Sequence, residues 1–216
     1  EIADRAVGRR AHVGAALELH LETHNTGDTA FALTQALHTY FRVSDVANVV
    51  IDGLSGLSYL DKLLDFAERA QSGAIHFERE VDRIYQGDTS RIVLRDRGAG
   101  RQIEISSSGS RSAVVWNPWA EKTARLGDMG SADAFRQMVC IETANAGRDV
   151  VISNQQVFVE RSTRRCQATC RPGSTGSGCA WPMRRRASRM TRGLRSGWRM
   201  TRGSSGRRGS TSSRRW

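Results

Sequence analysis

The sequence predicts an all-β protein, an antiparallel β-sandwich with an arginine-rich tail behind it. Three observations carry the prediction. Short runs in which apolar and polar residues alternate recur through residues 1–156, the period-2 signature of half-buried strands. Turn chemistry separates them at close intervals, as in Asn25-Thr26-Gly27-Asp28 and Asp96-Arg97-Gly98-Ala99-Gly100. Only two brief stretches, Glu121 to Leu126 and Ser131 to Gln137, have helical character, so strands must supply the core.

Taken in order, a basic lead-in precedes Val13, Ala15, Leu17, Leu19 and Leu21, which alternate with polar or small residues as a strand. The Asn25 to Asp28 turn joins it, as a hairpin, to a second strand, Leu33 to Phe41. Val46 to Ile51 is a short apolar strand, Tyr59 to Asp65 an irregular or one-turn helical loop, and Ile75 to Glu80 an edge strand with outward charges. In Val81 to Tyr85, Asp82 shares a face with Ile84 if the segment is extended. Arg91 to Arg95 and Arg101 to Ser106 form a hairpin, and Ser112 to Trp116 a strand stopped by Pro118, which cannot donate to a ladder. Met138 to Glu142 is a strand with Met138, Cys140 and Glu142 on one face, and Val150 to Ile152 ends the organised part.

Charge marks the boundary between a domain at 1–156 and a tail at 157–216. The domain carries 17 Lys and Arg against 21 Asp and Glu, a net of −4; the tail carries 16 Arg and one acid, Glu160, a net of +15. The +11 of the 216-residue chain therefore belongs to the tail. Only Cys140 of the four cysteines lies in the domain, so no disulfide framework is expected and the chain reads as reduced and cytoplasmic. No run of about 18 apolar residues spans a membrane, and Glu1-Ile2-Ala3-Asp4-Arg5 lacks the order of a secretory signal. Without an initiator Met, the chain is expected to begin inside a larger domain.

Two side chains stand out chemically. His38 falls mid-strand among Thr34, Ala36 and Tyr40, small or polar neighbours that suit presentation of a proton-transfer group, though a surface or hydrogen-bonded core histidine is the ordinary alternative. Glu142 lies in line with two apolar side chains; desolvation there would raise its pKa and basicity, whereas a strand-end Glu in water would do nothing. His20 and His24 share a face but sit roughly 13 Å apart along a strand, too far for one metal ion, and read as solvated.

The tail, rich in Arg, Ser and Gly, repeats Arg-Met-Thr-Arg-Gly at residues 189 and 199 and is expected to be disordered. It admits three readings. One is nucleic-acid binding through arginines. A second is zinc at Cys166, Cys170 and Cys179, weak for want of a histidine in the tail. The third, which the composition favours, is an out-of-frame translation of a GC-rich gene with no evolved function.

The runs Ala36-Leu37-His38-Thr39-Tyr40-Phe41, Gly53-Leu54, Tyr59-x-Asp61-Lys62, Asp82-Arg83-x-Tyr85, Val115-Trp116-Asn117-Pro118-Trp119 and Cys140-x-Glu142 follow one another in that order. The order resembles that of the hexose-6-phosphate mutarotases, or glucose-6-phosphate 1-epimerases, of the aldose 1-epimerase superfamily, across Ala11 to about Val151. The match covers the C-terminal part of that domain. The front part, with the basic residues expected around the substrate phosphate, is not matched. The resemblance implies a galactose mutarotase-like sandwich, anomer interconversion with His38 as acid and Glu142 as base, and Asp82 as a sugar-binding carboxylate that keeps His38 protonated. Tyr40, Trp116 or Trp119 would wall the sugar ring. It implies no cofactor or metal, a small sugar phosphate as partner, no membrane or specific nucleic acid, a monomer, and impaired activity in a partial domain. A non-catalytic sugar-binding sandwich is the alternative.

Overall fold

The structure is a computed structural model and describes residues 5–127 and 129–169. Among the described residues there are thirteen strands: β1 (Arg5–Val13), β2 (Leu17–Asn25), β3 (Phe31–Leu37), β4 (Tyr40–Arg42), β5 (Val49–Asp52), β6 (Ser58–Asp61), β7 (Ala67–Ala70), β8 (Val81–Gln86), β9 (Arg91–Asp96), β10 (Arg101–Ser108), β11 (Ser112–Asn117), β12 (Met138–Ile152) and β13 (Val157–Ala168). An α-helix, α1 (Trp119–Arg125), lies between β11 and β12 together with a 3-10 turn at Ala134–Gln137.

Every ladder is antiparallel, in a six-stranded sheet ordered β1-β2-β13-β10-β9-β5 and a seven-stranded sheet ordered β3-β12-β11-β8-β6-β7, with β4 also on β12. The largest apolar cluster among the described residues lies between them. Val49, Ile51, Ile92, Leu94, Ile103 and Ile105 from the first sheet meet Tyr59, Val81, Tyr85, Val115, Val139 and Ile141 from the second, all buried. At about 25 cal/mol per Å² of apolar surface removed from water, this layer is the main source of stability. The architecture is the antiparallel β-sandwich that the alternating runs predict.

Several elements differ from the sequence reading, each for a local reason. The lead-in forms β1, which turns at residues 14–16 into β2. β2 and β3 do not form a hairpin; they lie in different sheets. Buried Asn25 explains it: its side-chain amide donates to the carbonyls of Thr29, Ile152 and Ser153, so the turn crosses to the end of β12 rather than folding back. Ile75 to Glu80 makes only a single bridge, Ile75 to Ile51, and Tyr59 to Asp65 divides into the end of β6 and a 3-10 turn at Lys62–Leu64.

The largest correction is β13. Residues 157–168, expected in a disordered tail, pair with β2 on one side and β10 on the other. The period-2 pattern is present but carried by polar residues: Glu160, Ser162 and Arg164 are the buried positions, so an apolar-periodicity reading passes over them. Cys166 packs against the main core from this strand. Cys170, Cys179 and the repeated Arg-Met-Thr-Arg-Gly lie outside the described residues.

Strand β12 positions the site. One of its edges is paired by two strands laid end to end, β3 along Thr143–Ile152 and β4 along Met138–Cys140. Between them, residues 38 and 39 leave the strand, so His38 is not mid-strand as expected but occupies a two-residue break. The break is held in place: Ile141 N–H donates to the Thr39 carbonyl (3.1 Å) and the Thr39 hydroxyl donates to the Leu37 carbonyl (3.2 Å).

Candidate active site

Residues paired across an antiparallel ladder point to the same face. Asp82 pairs with Trp116, Trp116 with Cys140, and Cys140 with Tyr40, giving one row across β8, β11, β12 and β4. Ile84, Val114 and Glu142 make the adjacent row on the same face. That face is opposite the one whose Val81, Tyr85, Val115, Val139 and Ile141 enter the main core. Alternation along three strands thus separates a chemical face from a packing face.

The break in the edge strand brings His38 over this face. His38 Nε2 lies 2.9 Å from Glu142 Oε1, with the histidine side chain 44% exposed and the glutamate 9%. On the other side of the ring, Nδ1 lies 3.2 Å from Cys140 Sγ, and that sulfur is 3.6 Å from Glu142 Oε1. Burial, with the Glu142 charge added, pushes the Cys140 thiol well above its ordinary pKa, so it stays S–H at neutral pH. The thiol donates to Glu142 Oε1, and the carboxylate beside Nε2 assigns the neutral imidazole as the Nε2–H tautomer. The contact places a proton donor, open to solvent, against a sheltered proton acceptor.

Asp82 sits apart from this pair. Lys62 Nζ is 3.0 Å from Oδ1 and Lys122 Nζ 3.8 Å from Oδ2, and Lys122 also reaches Glu80 at 2.7 Å. These are the two lysines of the sequence, and both serve one carboxylate. Burial raises the Asp82 pKa; Lys62 and Lys122 oppose that, and the Glu142 charge adds to it. The acidic neighbour in contact with His38 is therefore Glu142, not Asp82 as the sequence reading had it.

Aromatic side chains extend the surface. The Tyr40 ring is 4.8 Å from the His38 ring and 6.2 Å from Trp116, edge to face, and Lys122 Nζ lies 5.8 Å over Trp116. Tyr40 and Trp116 thus stand between His38 and the Asp82 group. Trp119, expected as a third wall for the ring, packs instead on Phe135 at 5.0 Å and on the main core.

Behind the break lies a polar layer between the sheets. Arg164 of β13, buried, donates from Nη2 to the Thr39 hydroxyl at 2.5 Å. Burial lowers its pKa from 12.5 to about 10 against the attraction of Glu160. Glu160, fully buried, accepts from Gln35 Nε2 and from the Ser110 hydroxyl, both at 2.9 Å. Burial pushes its pKa above the usual 4.5. The sequence reading assigned no role to Cys140, Lys62, Lys122, Arg164 or Glu160. The spacing Cys140-x-Glu142 puts the thiol on the Glu142 face, and two lysines in 216 residues are rare enough to notice. Nothing local in the sequence points to Arg164.

The two-sheet antiparallel sandwich thus brings an imidazole and a carboxylate together on one open sheet face. The aldose 1-epimerase family profile matches residues 10–163, and the chain belongs to that family. A relative from Cenchrus ciliaris with the provisional name glucose-6-phosphate 1-epimerase is 35% identical over 137 residues, 63% of this chain and 41% of its own. One from Salmonella typhimurium with the same provisional name is 34% identical over 162 residues, 74% of this chain and 51% of its own. The crystal structure of a provisionally assigned mutarotase from Salmonella typhimurium superposes with a TM-score of 0.70 at 30% identity, covering 76% of this chain and 54% of that one. The chain spans about half the length of the curated relatives it matches.

Proposed function

We propose that the chain interconverts the α and β anomers of a hexose 6-phosphate, with Glu142 as general base and His38 as general acid. The 2.9 Å approach of His38 to Glu142 on an open face carries the reading. Glu142 takes the proton of the C1 hydroxyl while His38, as imidazolium, delivers one to the ring oxygen. The C1–O5 bond breaks, C1 becomes an aldehyde, and rotation about C1–C2 presents its other face. Ring closure returns the proton from Glu142 to the carbonyl oxygen as O5 attacks C1 and gives its proton back to His38. Each positioned transfer contributes roughly 10²- to 10⁴-fold.

The Glu142 carboxylate stands 2.9 Å from the imidazole ring that supplies the acid. Asp82, oriented by Lys62 and Lys122, accepts hydrogen bonds from sugar hydroxyls, and Tyr40 with Trp116 supplies the apolar surface for the ring. The free Cys140 thiol supports a reducing, cytoplasmic setting. A monomer acting on a free sugar phosphate completes the reading.

Exchange spectroscopy by NMR on glucose 6-phosphate and on glucose tests the proposal. Faster anomer exchange for the phosphorylated sugar supports it. Equal acceleration of both removes the phosphate from the account, and saturable binding without acceleration of either leaves a non-catalytic sugar-binding domain.

A further inference from the structure

We infer that His38, Cys140 and Glu142 also form a site for one thiophilic divalent cation of the Zn²⁺ class, which occupies both proton-transfer groups when bound. One donor atom from each residue lies within 4.8 Å of the other two, the one His/Cys/Asp/Glu grouping of this kind among the described residues. Tetrahedral zinc with bonds of about 2.0 Å to nitrogen or oxygen and about 2.3 Å to sulfur sets its donors roughly 3.2 to 3.8 Å apart. Cys140 Sγ already stands 3.2 Å from His38 Nδ1 and 3.6 Å from Glu142 Oε1, so the ion needs adjustment of a ring and a carboxylate rather than of backbone.

Three features make this more than proximity. Cys140 and Glu142 are alternate residues of one strand paired on both edges, so the sulfur and the carboxylate project from a fixed base. His38 lies on a break pinned through Thr39, which fixes the third donor without burying it. Exposure is graded, with Cys140 and Glu142 buried and His38 at 44%, leaving a fourth position toward solvent. A sulfur, an imidazole and a single carboxylate select zinc-like over calcium- or magnesium-like ions. On binding, the thiol proton leaves to solvent as the sulfur lone pair bonds to the metal. A protonated His38 releases its proton likewise, and no electrons are transferred.

Cobalt is the probe, since Co²⁺ bound to thiolate shows near-ultraviolet charge transfer and tetrahedral Co²⁺ absorbs strongly in the visible. Titrating Co²⁺ into the chain with Cys166, Cys170 and Cys179 changed to Ser should give both bands at one equivalent, and Zn²⁺ should abolish them. Cys140→Ser should remove the charge-transfer band, and His38→Ala should weaken binding about tenfold or more. Should Cys140→Ser fail to fold, X-ray absorption of the zinc-loaded tail variant gives the same information. One sulfur at about 2.3 Å with nitrogen and oxygen at about 2.0 Å supports the site. No charge-transfer band in the tail variant, its survival in Cys140→Ser, or a zinc shell without sulfur overturns it. The site is independent of the proposed reaction: bands in a chain with no anomerase activity defeat the reaction and leave the site standing.

Discussion

Replacing Arg164 by Met removes the cation behind the His38 break while keeping an unbranched side chain in a buried slot. Two opposed effects set the outcome. Burial lowers the Arg164 pKa from 12.5 to about 10, and at about 1.4 kcal/mol per pH unit this is roughly 3 kcal/mol by which folding disfavours the charge. The substitution relieves that cost and gives up the bond from Nη2 to the Thr39 hydroxyl, about 1.5 to 3 kcal/mol for a charged donor. The two nearly cancel, because the Glu160 carboxylate keeps its own bonds from Gln35 and Ser110 when the cation is removed. We therefore expect Tm to move by no more than a few degrees, at about 2 to 4 °C per kcal/mol for a chain of this size.

Activity responds differently. Thr39 accepts from Arg164 and donates to the Leu37 carbonyl, and His38 lies between those two residues. Releasing Thr39 loosens the ring against Glu142, and misplacement by about 1 Å costs on the order of 10²-fold. The expected result is kcat lower by about 10- to 100-fold with KM little changed, and partial recovery in Arg164→Lys. Thermal unfolding and NMR anomer exchange measure the two halves. A Tm loss above about 10 °C would show that Arg164 is a net stabiliser, and unchanged kcat would show that the break does not depend on it.

Asp82→Asn should raise KM for glucose 6-phosphate about tenfold with kcat nearly constant, at about 1.4 kcal/mol for one sugar hydrogen bond. Because burial raises the Asp82 pKa above 3.8, wild-type KM should climb as pH falls toward that raised value, and a pH series on the Asn variant should lack the climb. Glu160 has a folded pKa raised above 4.5, so its contribution to stability is complete below pH 4.5 and is lost as pH rises through the raised value. Glu160→Gln cannot ionise, so its Tm relative to wild type should improve between pH 4.5 and pH 7; a constant difference would rule out the buried carboxylate as cause. Gly109 has φ +79 and a Cβ there would run into the Val159 carbonyl of β13, so Gly109→Ala should lower stability by about 2 kcal/mol or more in urea unfolding. An unchanged midpoint would mean that β13 does not pack there.

The two-sheet fold was legible because most inward positions are apolar and alternate, as in Val81, Tyr85, Val115, Val139 and Ile141. It ceased to be legible where the buried face is polar. Glu160, Ser162 and Arg164 obey the same period-2 rule with the reverse chemistry, and the charge excess of the tail masked a strand. The β2 to β3 crossing was hidden for another reason: a turn sequence gives the reversal but not its partner, and Asn25 bonds to carbonyls on β12 and in the turn after it, 127 and 128 residues away. In the site, Glu142 was findable from residue type and strand face, and His38 from residue type alone, since it lies off the strand that the pattern predicts. Their contact was not, because it depends on where β3 ends and β4 begins along β12. Lys62 and Lys122 turn on Asp82 through a short turn and a helix, which no spacing rule connects.

The proposed reaction requires one exposed imidazole and one sheltered carboxylate each to exchange a proton with the sugar's anomeric centre. Anomer exchange of glucose 6-phosphate, followed by NMR for the chain, for Glu142→Gln and for His38→Ala at equal concentration of folded protein, measures that most directly. Loss of about 10²-fold or more is expected in each variant, with folding intact by circular dichroism. Rates within about twofold of the unaltered chain in both variants would contradict it.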